Sequence, residues 1–348
     1  MNMAIIASER PGVFSSYQTS TITNGGTEGG AVGLVAACGG CEIGRVYSVT
    51  RMSSASLYFG EDENSLMIAL CEILLLNGAS EIRAVAVENE QSYEQAFAIL
   101  EGDETVTSVV CDSDSEAIHI LLSESVGRAS ANKRERVGVV FAAENAGERA
   151  KRLNSERMVM VSQSGLSGAG EVLPGIFLAA ALAAQVSAGG AGKNYNGLRL
   201  SGLTQLGEAL GEDEVDEWIR TGVTPLEAIS GGVEVIRAVT TRSESGGVPD
   251  RTYRDLSTVL VIDNVIRAVR GALHPVLSGA RNNQRTRTAL ATQAAVVLVE
   301  RQGAGLIDGY DAPRVYPDPD DGGICILELA FTVARGINQI HITAHIRV

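Results

Sequence analysis

Between Ala31 and Gln163 the chain repeats one alternation that leaves few folds open to it. Apolar runs of four to seven residues ("AVGLVAA", "EIRAVAV", "VTSVVC", "RVGVVFAA", "RMVMVS") are separated by stretches with helical periodicity ("SLMIALCEILLLNG", "SYEQAFAILEG", "SEAIHILLSESV", "NAGERAKRLN"). Short apolar runs bounded by polar turns, with a helix between each, predict βαβ units around a largely parallel sheet. The first half is therefore expected to be an α/β domain.

The rest of the 348-residue chain, long enough for two or three domains, changes character twice. Residues 1–30 are rich in Gly, Ser and Thr, with a turn at Pro11 and Gly12, and read as an extended arm. Residues 164–232 bring glycines, one mostly apolar helix at about 172–187 and a short acidic helix, "EDEVDEWIRTG". From Val233 follow a strand, "VEVIRAVTT", a long helix at about 252–277, a second at about 283–301, and a strand, "ICILELAFTVA". The expected division is an arm at 1–30, an α/β domain at 31–163, a second domain at 164–336 and a terminal strand at 337–348. Fold class is α/β by the first half and α+β over the whole.

Hydrophobic residues make up 45% of the chain and the mean hydropathy is +0.11, yet no apolar run approaches the roughly 18 residues that span a bilayer. The first residues lack a basic start followed by a long apolar stretch, so no signal peptide is expected and the chain reads as cytoplasmic. A net charge of −14 argues against nucleic acid or direct membrane binding. One segment runs the other way. Between Arg251 and Arg301 eight arginines, among them Arg267, Arg270, Arg281, Arg285 and Arg287, face only three acids. That segment is either a solvated helix face or a docking surface for an acidic partner.

Several stretches imitate catalytic or metal motifs. "GLSGA" sets Ser167 near the G-x-S-x-G nucleophile elbow, but the last glycine is Ala169 and Glu171 to Pro174 separate the serine from the next helix. "SAGGAGKN" lacks the first glycine of a phosphate loop, has Asn194 where Ser or Thr would hold magnesium, and follows a helix. "DPDDGG" misplaces the calcium-loop glycine and has Leu329 where a bidentate Glu is required. The C-x-x-C pair Cys38 and Cys41 has no second pair to complete a zinc site and leads into a strand, so it reads as unpaired thiols in a turn. His119 and His274 are isolated. His341 and His345, on a strand, would lie about 13 Å apart, too far for one metal. No catalytic constellation, metal or cofactor is expected. The alternative is an α/β hydrolase-like enzyme with Ser167 as nucleophile; it requires a histidine within reach, and only His274, His341 and His345 follow the serine. A Rossmann-like nucleotide module would need a Gly-rich turn into a helix, whereas "AACGGCEIG" leads into another strand.

The last nine residues carry one of the cleanest strand patterns of all. Ile340, Ile342, Ala344, Ile346 and Val348 alternate with His341, Thr343, His345 and Arg347, giving one apolar face. Chain ends usually fray, so this strand either closes a sheet of its own subunit or serves another.

In order and placement the segments resemble the contractile tail sheath proteins of phages and phage-tail-like bacteriocins. The resemblance rests on "ERPGVFSSYQTST", the apolar helix, "GGAGKNYNGLRLSGL", "GGVEVIRAVTT", "DRTYRDLSTVLVIDNVIRAVRGAL", "NNQRTRTALATQAAVVLVERQGAGLI" and "ILELAFTVARGINQIHITAHIRV". It covers the N-terminal arm and roughly residues 170–348; residues 31–163 match only as an inserted α/β region. It implies a multi-domain sheath subunit that is not an enzyme and needs no cofactor. Its C-terminal domain would carry a small sheet completed by strands from neighbours, here the segments containing Val13, Phe14 and Tyr17 and the strand from Ile340 to Val348. Glycines near the arms, such as Gly25, Gly26 and Gly336, would act as hinges. The implied partners are further copies in a helical stack of rings, an inner tail tube protein, a baseplate and a tail terminator. Assembly would take place in a bacterial cytoplasm and the mature location would be the tail of a virion or phage-tail-like particle. The α/β region would face outward, and the basic segment would face the tube.

Overall fold

The structure is a computed structural model that describes residues 30–60, 65–168, 170–277 and 279–336. Two compact units emerge among the described residues, one of residues 30–260 with Gly336 and one of residues 261–335. They do not divide at 163/164, where the composition shifts.

In the larger unit the expected alternation is present in order. The strands are β1 (Ala31–Ala37), β2 (Val46–Val49), β3 (Ile82–Val87), β4 (Val106–Cys111), β5 (Val137–Phe141) and β6 (Met158–Val161). The helices between them are α1 (Met52–Phe59), α2 (Leu66–Leu76), α3 (Tyr93–Glu101), α4 (Glu116–Ala131) and α5 (Ala146–Leu153). One six-stranded sheet has the order β2-β3-β1-β4-β5-β6, parallel throughout except for β2, which runs antiparallel to β3 at the edge. Because strand side chains alternate faces, Val32, Leu34 and Ala36 enter one core and Ala31 and Val35 the other. Gly33 lies between them for a reason of space. A Cβ there would come within 3.0 Å of Leu100 on α3.

Beyond the sheet, β7 (Gly165–Leu166) pairs with β8 (Val172–Leu173), and α6 (Ile176–Gly189) follows. The helix starts later than its apolar pattern suggests, because Val172 and Leu173 are taken by the hairpin and Pro174 leads into the first turn. At Gly175 the backbone passes so close to the Phe141 ring that a Cβ would lie 2.2 Å from it. From Ile176 to Ala184 every side chain of α6 is buried, joining α2 and the β1, β4 and β5 side chains in one core. The unit continues through β9 (Leu198–Leu200), β10 (Gln205–Leu206), α7 (Glu212–Thr221), β11 (Leu226–Ile229), β12 (Gly232–Val235), β13 (Glu244–Ser245) and β14 (Val248–Pro249). Strand β12 joins β11 to β9, and β10 extends the β7–β8 hairpin. The strand expected over 233–241 is thus cut short. Past Val235 its backbone bonds irregular chain instead: Leu256 N donates to Ala238 O at 3.2 Å and Thr240 N to Arg254 O at 2.8 Å. Arg237 fixes the same turn through Asp255 at 2.8 Å.

Helix α8 (Leu256–Leu273) begins in the larger unit and ends in the smaller, where a 3-10 turn, His274–Leu277, contains Pro275. Helix α9 (Gln284–Gly303) is capped by Asn283, whose side chain accepts from Thr286 N at 3.0 Å. Four strands follow: β15 (Ile307–Tyr310), β16 (Arg314–Pro317), β17 (Cys325–Glu328) and β18 (Phe331–Val333). The strand expected from "ICILELAFTVA" is therefore two strands with two partners, β17 with β16 and β18 with β15. Between the Tyr310–Phe331 and Arg314–Glu328 pairs lie three residues on one side and two on the other. The extra residue makes a bulge, and Pro313, with no N–H to offer, sits in it.

Candidate assembly surface

Among the described residues, the strands of the smaller unit form two two-stranded ribbons, so every one of these strands has an edge with no strand partner among those residues. Open edges are pairing sites, and a two-stranded ribbon is marginal until something packs on it or adds to it. Val315, Ile326, Leu327 and Phe331 are only half-buried. On α9, Val296 and Val299 are 44% and 53% exposed. A strand with one apolar face would cover such side chains and satisfy an edge at once. The residues expected to supply it, Val13, Phe14, Tyr17, Ile340, Ile342, Ala344, Ile346 and Val348, lie outside the described residues, as do Gly25 and Gly26. Gly336 is described, and a Cβ there would stand 2.7 Å from the Asn194 side chain.

Local chemistry sorts the five arginines. Arg267 is exposed and Arg270 half-buried on α8. Arg281 and Arg285, four apart, would share a helix face only if α9 began early; the Asn283 cap puts Arg281 before the helix. Arg287 turns back instead, donating to Asn282 Oδ1 at 2.8 Å and Gln284 Oε1 at 3.1 Å. Asn282, which the sequence did not single out, is the centre of this knot. Its amide donates to Gly322 O at 2.7 Å, tying the start of α9 to the tip of the β16–β17 hairpin. That tip is the calcium-like stretch, and Asp318 Oδ1 is occupied there as an acceptor from Asp320 N and Asp321 N. Among the described residues no group of His, Cys, Asp or Glu could hold a metal ion.

The imitated motifs are local structure. Ser167 turns the β7–β8 hairpin: its N–H donates to Glu171 O at 2.9 Å, and its hydroxyl accepts from Glu171 N at 3.2 Å. A nucleophile elbow would hold it at a strand-to-helix corner. Lys193, in the glycine loop ending α6, donates to Gln185 Oε1 at 2.6 Å. His119 is fully buried, with Nε2 at 2.9 Å from Ser113 O, and burial pushes its pKa down. A shallow groove of about 370 Å³ lies over Gly168, Arg199, Gly202, Leu203 and Gly231, and among the described residues Arg199 is the one ionisable side chain lining it. The acidic loop "CDSDSE" is also committed inward. Asp112 accepts from Ala37 N and the Tyr93 hydroxyl, while Asp114 pairs with Arg149 at 2.8 Å.

No protein-family model matches the chain, and no curated protein matches it. Solved structures do. The helical sheath of the anti-feeding prophage in its contracted state superposes with a TM-score of 0.75 at 14% identity, over 97% of this chain and 99% of that one. A sheath tail protein from Desulfitobacterium hafniense gives 0.74 at 10% identity, over 92% and 100%. One from Listeria innocua gives 0.73 at 12%, over 89% and 96%. The chain has the contractile-sheath fold.

Proposed function

We propose that the chain is the structural subunit of a contractile tail sheath. The observation that carries this is the likeness along nearly the whole length, which takes in the inserted α/β region that the sequence resemblance did not reach. Copies would polymerise helically around an inner tube, linked by the terminal segments, and would pass from an extended to a contracted packing to drive the tube through a target envelope. Rigid-body rearrangement of folded units does this without bond chemistry, so the reading is non-enzymatic. A head-to-tail contact that does not close on itself makes such a filament. The edges of β15 to β18 that have no strand partner among the described residues, with the half-buried apolar residues beside them, support this reading as its acceptor surface. The inner tube protein, baseplate and tail terminator are its partners, and the particle tail its location after cytoplasmic assembly. The region 31–163 would lie outermost, with exposed Glu88 and Glu90 among its acidic loops.

Electron microscopy of the purified protein tests the proposal. Hollow tubes or stacked rings are expected. Monodisperse monomers at every concentration and salt would overturn it.

A further inference from the structure

The turn between β1 and β2 holds two thiols in an arrangement no assembly role requires. Strand β1 ends at Ala37, and Cys38 N still donates to Val87 O of β3. The chain then crosses the end of β3 and returns to it from the other side, where Gly44 N donates to Ala86 O at 3.2 Å before β2 begins. Glu42 N is held by the Tyr47 hydroxyl at 2.9 Å. Both ends of the crossing are therefore anchored, and the freedom left lies in Gly39 and Gly40. These are exposed. A Cβ on Gly39 would meet nothing, and one on Gly40 only the Phe59 carbonyl at 3.3 Å.

Cys38 and Cys41 thus stand three positions apart in one anchored turn, on either side of the glycine pair. Cys38 is 8% exposed and Cys41 half-buried, so one sulfur faces the core and the other can be approached from solvent. Cys71, fully buried on α2, belongs to the same core as Cys38.

We propose that Cys38 and Cys41 form a reversible intramolecular disulfide when the protein meets a low-molecular-weight disulfide. The Cys41 thiol gives its proton to solvent and attacks one sulfur of the small disulfide, releasing one thiolate, which takes up a proton. Cys38 then loses its proton and displaces the second thiolate, leaving the Cys38–Cys41 bond. The protein dithiol is oxidised by two electrons and the small disulfide becomes two thiols. Burial and the neighbouring Cys38 push the Cys41 thiol up to about 12, so the thiolate is scarce at neutral pH and exchange is slow there. The bond would staple the crossing over β3 and fix the edge strand β2 to the sheet.

The full-length native protein is incubated with oxidised glutathione at pH 9, quenched with acid, alkylated and digested for mass spectrometry. The expected product is a peptide containing both Cys38 and Cys41, lighter by two hydrogens, unalkylated and restored by dithiothreitol. Oxidation should be faster at pH 9 than at pH 7 by at least tenfold. In the C38S variant Cys41 should instead stop at the glutathione mixed disulfide, a readout that needs only the half-buried sulfur. Alkylation of both residues in the oxidised wild-type sample would overturn the proposal. So would a mixed disulfide on wild-type Cys41 that never resolves, or a Cys38–Cys71 bond in its place.

Discussion

The side-chain amide of Asn77 and the backbone of Ser201 are joined in both directions: Ser201 N donates to Asn77 Oδ1 at 2.8 Å, and Asn77 Nδ2 donates to Ser201 O at 3.0 Å. Asn77 ends α2 and is 2% exposed, while Ser201 follows β9, so one residue fastens together two parts of the chain 124 positions apart. The same nitrogen also serves Ile73 O at 2.9 Å. Asn77→Ala leaves these buried groups without partners and is expected to cost about 2 to 4 kcal/mol. Urea denaturation of the dispersed subunit measures it, and a loss within about 0.5 kcal/mol would show that water replaces the amide.

His119 gives a pH dependence of defined sign. Burial holds its folded pKa below the ordinary value, which the unfolded chain retains at about 6.5. The neutral form is thus favoured by folding, and that contribution is full above about pH 6.5 and is lost as pH falls below it toward the folded value. The groups around the ring are Ser113 O, Asp114, Arg149 and Glu116. Glu116, lowered by its Arg152 hydrogen bond, loses its own contribution only in the acid range of carboxylates. His119→Gln should therefore flatten the fall in urea midpoint between pH 7 and 5. Equal slopes in both proteins would contradict the assignment.

The tube-facing proposal separates Arg281 and Arg285 from Arg287. The first two are exposed, and exposed ion pairs are worth about 0 to 1 kcal/mol each, enough in number to position a sheath and too weak to lock it. Reversing Arg281 and Arg285 to Glu should block extended assembly on tubes and leave tube-free polymers intact, with the wild-type interaction weakening as salt rises. Arg287→Glu should in addition lower the stability of the subunit itself, because Arg287 belongs to the Asn282 knot. Co-sedimentation with tubes and thermal unfolding, run in parallel, distinguish the two effects.

Removing Ile340 to Val348 should give a soluble subunit with wild-type circular dichroism that does not polymerise. Edge pairing lost between copies leaves each copy's own core in place. A truncated protein that aggregates on purification would mean that the strand completes its own subunit.

The α/β half was legible because its apolar runs are bounded and the stretches between them have helical length, so pattern and length agree on β1, β3 to β6 and α2 to α5; α1 (Met52–Phe59), short and rich in Ser, was not singled out. The errors fell where a few polar or cyclic side chains overrule periodicity. "VEVIRAVTT" reads as one strand until Arg237 finds Asp255, and "ICILELAFTVA" until the Pro313 bulge divides its partner. Asn282 carried no pattern at all; its importance lies in reaching Gly322, forty residues on, which spacing along a chain does not reveal. The Arg281–Arg285 pairing failed on a cap, since a difference of one or two residues in where a helix starts decides which side chains share a face.

Helix α6 has no outward side from Ile176 to Ala184, and this has a genetic corollary. A residue enclosed by its own subunit cannot be touched by a neighbour, so substitutions there should act through folded abundance and be suppressed by growth at low temperature or by second-site stabilising changes. Alleles that keep normal amounts of soluble subunit yet fail to assemble should be missing from Ile176 to Ala184, and a saturation screen scored for both traits would leave that stretch as a blank on the assembly map.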